Sequence, residues 1–330
     1  MLFKQPPKAG NIYVPYEDRC GNESIVYFTR DLSAEGICKV YERVNAAICG
    51  KVAIKLHTGE PHGPNIIPSA WVKTFMEKEL PDATIVETNT FYDGDRYTTE
   101  QHRKTLEING WTAFTTVDIT DEDGTAMLPV KGGKWFTEMS VGKNLLNYDS
   151  LVALTHFKGH TMGGFGGSNK NLGIGCADGR IGKGMIHAKN GNDWGVVEEE
   201  LMEKIAESTK ATVDHFGKHI TFVNVLRNIS VSCDCEGVAA EPVVTPNIGI
   251  LASVDILSAD QASVDMIHAL NDRHRKAMVE RISTRHGYRQ LSYMKELGMG
   301  NDRYILIDVD NNDQRITAAD AVQGVVDFKG

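Results

Sequence analysis

The stretch SLVALTHF, Ser150 to Phe157, decides how this chain is read. It is the most apolar strand-like run in the sequence, and it shows no polar–apolar alternation. An unbroken run of that kind is the pattern of a strand buried on both faces, as at the centre of a sheet covered by helices. Working outward, similar units recur. KVAIKLH (Lys51–His57) and ATIVETNT (Ala83–Thr90) read as strands, and between them Pro68–Leu80 carries Trp71, Phe75 and Met76 at helical spacing. Thr98–Ile108 reads as a polar helix capped by Thr98 or Thr99, and FTTVDIT (Phe114–Thr120) as a further strand before a DEDG turn. Beyond it come a strand over Lys134–Val141, a helix over Trp194–Phe216 and a strand over His219–Ile229. PNIGILASVDI (Pro246–Ile256) returns to the sheet, Ser258–Leu270 is helical, and Tyr304–Val309 is a closing strand. The alternation predicts an α/β fold: a mainly parallel or mixed central sheet flanked by helices, with the site at the carboxyl ends of the strands. Residues 1–150 read as an N-terminal α/β half. Residues 151–330 form a C-terminal half with the glycine-rich loop and the Cys-x-Cys pair. No linker separates them, so one continuous domain is the alternative.

Composition narrows the function classes. The 330 residues hold 44 acidic against 35 basic side chains, a net charge of −9, which disfavours a nucleic-acid partner. No apolar run reaches the ~20 residues of a membrane span. The start, MLFKQPPKAG, has no apolar core of the signal-peptide kind, so a cytoplasmic protein is expected. Six cysteines are too few for a disulfide scaffold and leave packing, metal ligation or thiol chemistry as their roles.

After the central strand the sequence becomes rich in glycine: 10 of the 26 residues from Gly159 to Gly184, against 22 in the remaining 304. Such crowding has an entropic cost, and close approach of the backbone to a ligand is one compensation. The segment and its flanks also carry Lys158, Asn169, Lys170, Asn171 and Lys183. Backbone N–H groups beside lysines make an anion cradle, so these residues with Gly164, Gly166 and Gly167 are the expected ligand-binding set. The three glycines should then resist alanine for function more than for folding. Neither the Walker spacing nor a strand-following GxGxxG is present, and no GxSxG marks a hydrolase elbow.

Cys233-Asp234-Cys235, at the exit of a strand, offers two thiolates to a soft metal, half of a tetrahedral site. Cys176 is the candidate third ligand. His156, His160 and His187 either complete such a site or act as catalytic acid–base groups near neutral pH.

Several of these stretches together resemble a known family. THFKGHTMGGFGGSNKNLGIGCA (Thr155–Ala177), GKGMIH (Gly182–His187) and SCDCEG (Ser232–Gly237) are similar to the signature of the family called domain of unknown function 362. PNIGILASVDILSADQASVDM (Pro246–Met266) and LGMGNDRYILI (Leu297–Ile307) continue the likeness. It runs closely from Leu151 to the C-terminus, while the first half matches only in its α/β pattern. Members of that family are described as uncharacterised iron–sulfur centre proteins. Many carry a ferredoxin-like segment with two four-cysteine runs, which this chain lacks. DILSAD (Asp255–Asp260) stands where the family reads DPVAID, which alters a turn but keeps both aspartates. The resemblance implies Cys233 and Cys235, and after them Cys176, as ligands of an iron–sulfur cluster such as 4Fe-4S, or of a single soft metal ion such as zinc. The expected function is redox or metal-assisted chemistry on a small anionic molecule, with a redox partner protein if electrons are transferred. The alternatives are a non-catalytic carrier with structural cysteines and a metal-free hydrolase or isomerase using the histidines. The oligomeric state is left open.

Overall fold

The computed structural model describes residues 10–329. In chain order its strands are β1 (Glu23–Thr29), β2 (Val52–Lys55), β3 (Thr84–Glu87), β4 (Val117–Ile119), β5 (Thr125–Pro129) and β6 (Glu138–Gly142). There follow β7 (Ser150–His156), β8 (Lys158–His160), β9 (Gly164–Gly166), β10 (Ile220–Leu226), β11 (Gly249–Ser253), β12 (Arg303–Asp308) and β13 (Gln314–Ile316). Nine of them form one sheet in the order β13-β12-β1-β11-β10-β7-β2-β3-β4, while β5 with β6 and β8 with β9 make separate two-stranded ribbons. Every pairing from β10 to β4 is parallel, and β11 and β13 run against their neighbours. The chain moves outward through β2, β3 and β4 on one side and through β7 and β10 on the other. The topology therefore switches between β2 and β7, and open α/β sheets bind ligands beyond the strand ends at such a point.

All seven residues of β7 are buried. Leu151 and Ala153 join the core under the helices Glu198–Phe216 and Ile256–Ala269, whereas Val152 and Leu154 join the core under Ala34–Tyr41 and Ser69–Glu79. Side chains of successive residues point to opposite faces, so a strand between two helical layers must be apolar throughout. Each buried aliphatic side chain adds roughly 1.5–3 kcal/mol. The expected α/β class with a mixed sheet is the one observed. Thr98, not Thr99, caps the helix Thr99–Ile108, in a reciprocal capping box with Gln101.

Three features depart from the sequence reading. β1 was not anticipated: it lies between β11 and β12, whose residues come more than 200 positions later. The strand expected over Lys134–Val141 is shorter, and it pairs with β5 outside the main sheet. The glycine-rich segment is not a loop. It folds into the ribbon β8–β9 and the helices Ser168–Gly175 and Ile181–His187. Glycine is a poor helix former, but packing decides here. A Cβ at Gly173 would stand 2.5 Å from the Ile205 carbonyl of the neighbouring helix, and one at Gly175 would stand 2.2 Å from Lys55 Cε. Cβ atoms at Gly159 and Gly182 would likewise meet the carbonyls of Val231 and Ser140, at 2.3 and 2.1 Å, so close packing accounts for much of the glycine content.

Candidate active site

The parallel strands β2, β3, β7 and β10 end on one edge of the sheet, and their last or following residues are the ionisable ones: Lys55 and His57, Glu87, His156 and Lys158, and the 233–235 segment beyond β10. Together with the ribbon β8–β9 and the two glycine-bearing helices they enclose a cavity of about 380 Å³. Its apolar wall includes Phe91, Met162, Ile174, Trp194, Leu201 and Ile205; its polar wall includes Lys55, Glu87, Arg96, Lys158, Lys170, Lys183, His57, His160, His187 and Cys235.

The charges are paired unevenly. Lys55 Nζ donates to Glu87 Oε2 (2.8 Å), Leu56 O (2.9 Å) and Asn171 Oδ1 (3.2 Å), which uses all three of its protons. Burial would push the Glu87 carboxyl up, but Lys55 and Arg96 outweigh it and hold it well below the ordinary range. Arg96 also pairs with Glu60 (2.8 Å). Lys158 pairs with Asp234 (2.9 Å), and although burial alone would lower its pKa, that carboxylate raises it. The Asp234 carboxylate also lies 2.9 Å from His156 Nδ1, while His156 Nε2 is 2.6 Å from the Arg227 carbonyl. Both nitrogens of His156 are thus engaged and the ring is 2% exposed. His156 does not line the cavity, unlike His160 and His187 with which the sequence groups it.

His160, Cys233 and Cys235 bring their ligand atoms within 4.8 Å of one another. Cys176, grouped with them in the sequence reading, is elsewhere. It ends the helix Ser168–Gly175 inside the hydrophobic core, and burial pushes its thiol up to about 11. Cys233 is 1% exposed and held well below the ordinary thiol range. The Cys235 thiol beside it is the largest cause; burial opposes, and Lys170 and His160 add to the lowering. Cys235 faces the cavity and is shifted upward by the same sharing. The histidines around this pair are arranged alike. His57 Nδ1 accepts the Gly59 N–H (2.9 Å), and His160 Nδ1 accepts the N–H groups of Met162 (3.2 Å) and Gly163 (2.8 Å). Both rings also hydrogen-bond to Cys233, and burial is the first cause lowering both pKa values.

The expected ligand-binding residues divide. Lys158, Lys170, Lys183, Gly166, Gly167 and Asn171 line the one cavity, with His160, His187 and Cys235. Gly164 does not: it turns the ribbon with φ +77° and packs against Gly287 and Ile282. Asn169 is fully buried and bonded to Gln290 (2.9 Å). The backbone N–H groups of Ser168 and Asn169 are not open to a ligand, since Asp260 accepts from both (2.7 and 2.9 Å). Lys55, His57, Glu87, Arg96 and Asp234 were missed. A charged residue ending an otherwise apolar strand, as in VAIK and TIVE, is the signal that marks the first and third of these.

The chain belongs to the family described as "Domain of unknown function (DUF362)", whose model matches residues 52–265. No curated protein matches it. Among solved structures it is similar to the lactate racemase apoprotein from Thermoanaerobacterium thermosaccharolyticum, at 14% identity over 95% of this chain and 93% of that one, with a TM-score of 0.37. A protein from Thermotoga maritima is similar at 14% identity over 58% of this chain and 49% of that one, also with a TM-score of 0.37. No helix among the described residues is long and apolar enough to cross a membrane.

Proposed function

We propose that this protein is an enzyme that takes a small anionic substrate into the cavity at the switch point and holds a single soft metal ion, such as zinc, at Cys233 and Cys235. The observation that carries this reading is the meeting of two cysteine sulfurs and His160 beside the cavity. Two thiolates with one imidazole suit a catalytic zinc site that keeps a position open, whereas an iron–sulfur cluster takes four protein ligands, mostly thiolates. Two cysteines are half of that set, so a mononuclear ion is the better fit. When bound, such an ion supplies Lewis acidity. The chain's own part is to exclude water with the Phe91–Trp194 wall and to attract the anion with Lys170, which has no ion-pair partner among the described residues.

A metal-free reading is favoured by one specific observation. Histidines that ligate through Nε2 ordinarily donate from Nδ1, yet Nδ1 of both His57 and His160 accepts from backbone N–H groups. Neutral rings so placed carry their proton on Nε2 and direct it to Cys233, which suits a stabilised thiolate with Cys235 as its partner thiol.

Elemental analysis of anaerobically purified protein separates the two. The first reading expects about one soft metal ion per chain, lost in the Cys233→Ser/Cys235→Ser double variant. Protein that stays metal-free after exposure to zinc, with thiolate absorbance persisting well below the pH at which an ordinary thiol ionises, overturns it in favour of the second.

A further inference from the structure

The cationic groups at the cavity are sorted by their partners. Lys55, Lys158 and Arg96 each face a carboxylate within ion-pair distance. Lys183 does not. It is 5% exposed, and among the described residues its Nζ donates only to neutral oxygens, Thr88 Oγ1 at 2.6 Å and the Asn89 carbonyl. A lysine buried among neutral acceptors loses much of its preference for the charged form. Burial is the first cause here; the Asp121 and Glu87 carboxylates oppose it, Arg96 and Lys55 reinforce it, and the result is a Lys183 pushed down to about 8. One turn later in the helix Ile181–His187, on the same face, His187 also borders the cavity. It is 7% exposed, and its Nδ1 is buried with no hydrogen-bond partner among the described residues. Buried polar atoms are nearly always satisfied, so an unsatisfied one at a cavity wall asks for a reason. Burial, then Lys170, lower its pKa to about 3, which leaves a neutral ring at physiological pH.

We propose that Lys183 is a reactive amine that condenses with the carbonyl carbon of a small carbonyl compound bearing a carboxylate or phosphate, with His187 relaying the proton and Lys170 holding the anionic group. This rests on the reading that the cavity takes a small anionic molecule, and it adds the carbonyl to that description. In the reaction the Nζ lone pair forms a bond to the carbonyl carbon as the C=O π pair moves to oxygen. His187 accepts the proton that the nitrogen sheds and returns it to that oxygen. The second proton of the nitrogen then passes to the hydroxyl by the same path, the C–O bond breaks, water leaves and a C=N bond remains. Amine and carbonyl give imine and water, with no oxidant or reductant. Lys55 and Lys158 are poor candidates for this role because each amine is already held by a carboxylate, Glu87 and Asp234 respectively.

The test is reductive trapping on the whole protein: pyruvate, or uncharged propanal, with sodium borohydride, followed by peptide mapping. With pyruvate the adduct should sit on Lys183 at least tenfold faster than on any exposed lysine, with half-maximal rate near pH 8. Propanal should label Lys183 about tenfold more slowly, and Lys170→Gln should bring pyruvate down to that rate, the loss expected for one charge-assisted hydrogen bond. His187→Gln should slow trapping by about a hundredfold. The map of the unmodified chain needs no variant to fold. Adducts spread over the lysines in order of exposure, with Lys183 untouched, overturn the proposal. Labelling of Lys183 by propanal as fast as by pyruvate supports the amine and overturns the anionic-substrate reading.

Discussion

Asp234 is a point where buried polar groups converge. Its one carboxylate faces both Lys158 and His156, and all three side chains are nearly inaccessible. Removing the anion leaves two buried polar groups that were arranged for it, and breaking such a pair costs about 3–5 kcal/mol. Asp234→Asn should therefore lose stability of that order in urea unfolding, whereas an exposed ion pair such as Lys104 with Glu100 should contribute under about 0.5 kcal/mol. Burial would raise the Asp234 pKa, but His156 and Lys158 hold it well below the carboxylate range. A depressed carboxylate stabilises above its unfolded pKa and loses that contribution only as pH falls past it, so the Asp234 effect should be flat from pH 7 to about 5. Its position between two cysteines in the sequence carried no sign of this role, because both partners come from β7 and its continuation, some 78 residues earlier.

At the scale of elements, the glycines of the 159–184 segment separate into packing and lining positions. A Cβ at Gly173 meets the Ile205 carbonyl at 2.5 Å, and backbone in the middle of a 19-residue helix does not yield easily. A Cβ at Gly166 would have its nearest neighbours, Lys158 Cε and Lys170 Cδ, at 3.5 Å, ordinary contact, and no left-handed backbone is involved. Gly173→Ala should destabilise by about 1–3 kcal/mol, the range of overpacked cores. Gly166→Ala should shift stability by less than about 0.5 kcal/mol. Urea denaturation of the two variants checks the contrast, and equal losses would contradict this division. The expectation that Gly164, Gly166 and Gly167 act together does not survive at this scale. Gly164 is at a ribbon turn, and a Cβ at Gly167 would stand 2.4 Å from the Asp260 carboxylate.

For the whole molecule, buried neutral histidines set the acid limit. Burial, then Arg96, lowers His102 to about 3, and burial, then Lys170, lowers His187 to about 3. Below pH 6.5 the unfolded chain binds protons at these positions that the folded chain does not, so stability falls as pH falls. At pH 5 this amounts to about 2 kcal/mol for each. Asp260 acts in the opposite sense. Burial, against the donors Asn169, Asn224 and Ser168, raises it to about 6, so the folded chain takes up its proton first. Between pH 6 and 5 that returns only ~1 kcal/mol. The histidines win, and thermal midpoints should drop between pH 7 and pH 5. Asp260→Asn should deepen the drop, and His102→Gln should reduce it. A midpoint that holds steady over this range would contradict the assignment.

Read alone, the residues determined the α/β class and the central place of Ser150–Phe157, and marked the 159–184 and 233–235 segments as unusual in composition. Those properties are local: apolar patterning, glycine density and thiol spacing can be read along the chain without knowing what lies beside it. Only the tertiary structure decided that Cys176 stands apart from Cys233 and Cys235, that β1 enters between two late strands, and which glycines serve close packing. It also decided which lysines are neutralised. Lys55 meets Glu87 across 32 residues and Lys158 meets Asp234 across 76, whereas Lys183 meets no carboxylate among the described residues. All three look alike in the sequence. The charge state of a buried amine depends on distances of a few ångströms between distant segments, and those distances exist only once the sheet has brought the strand ends together.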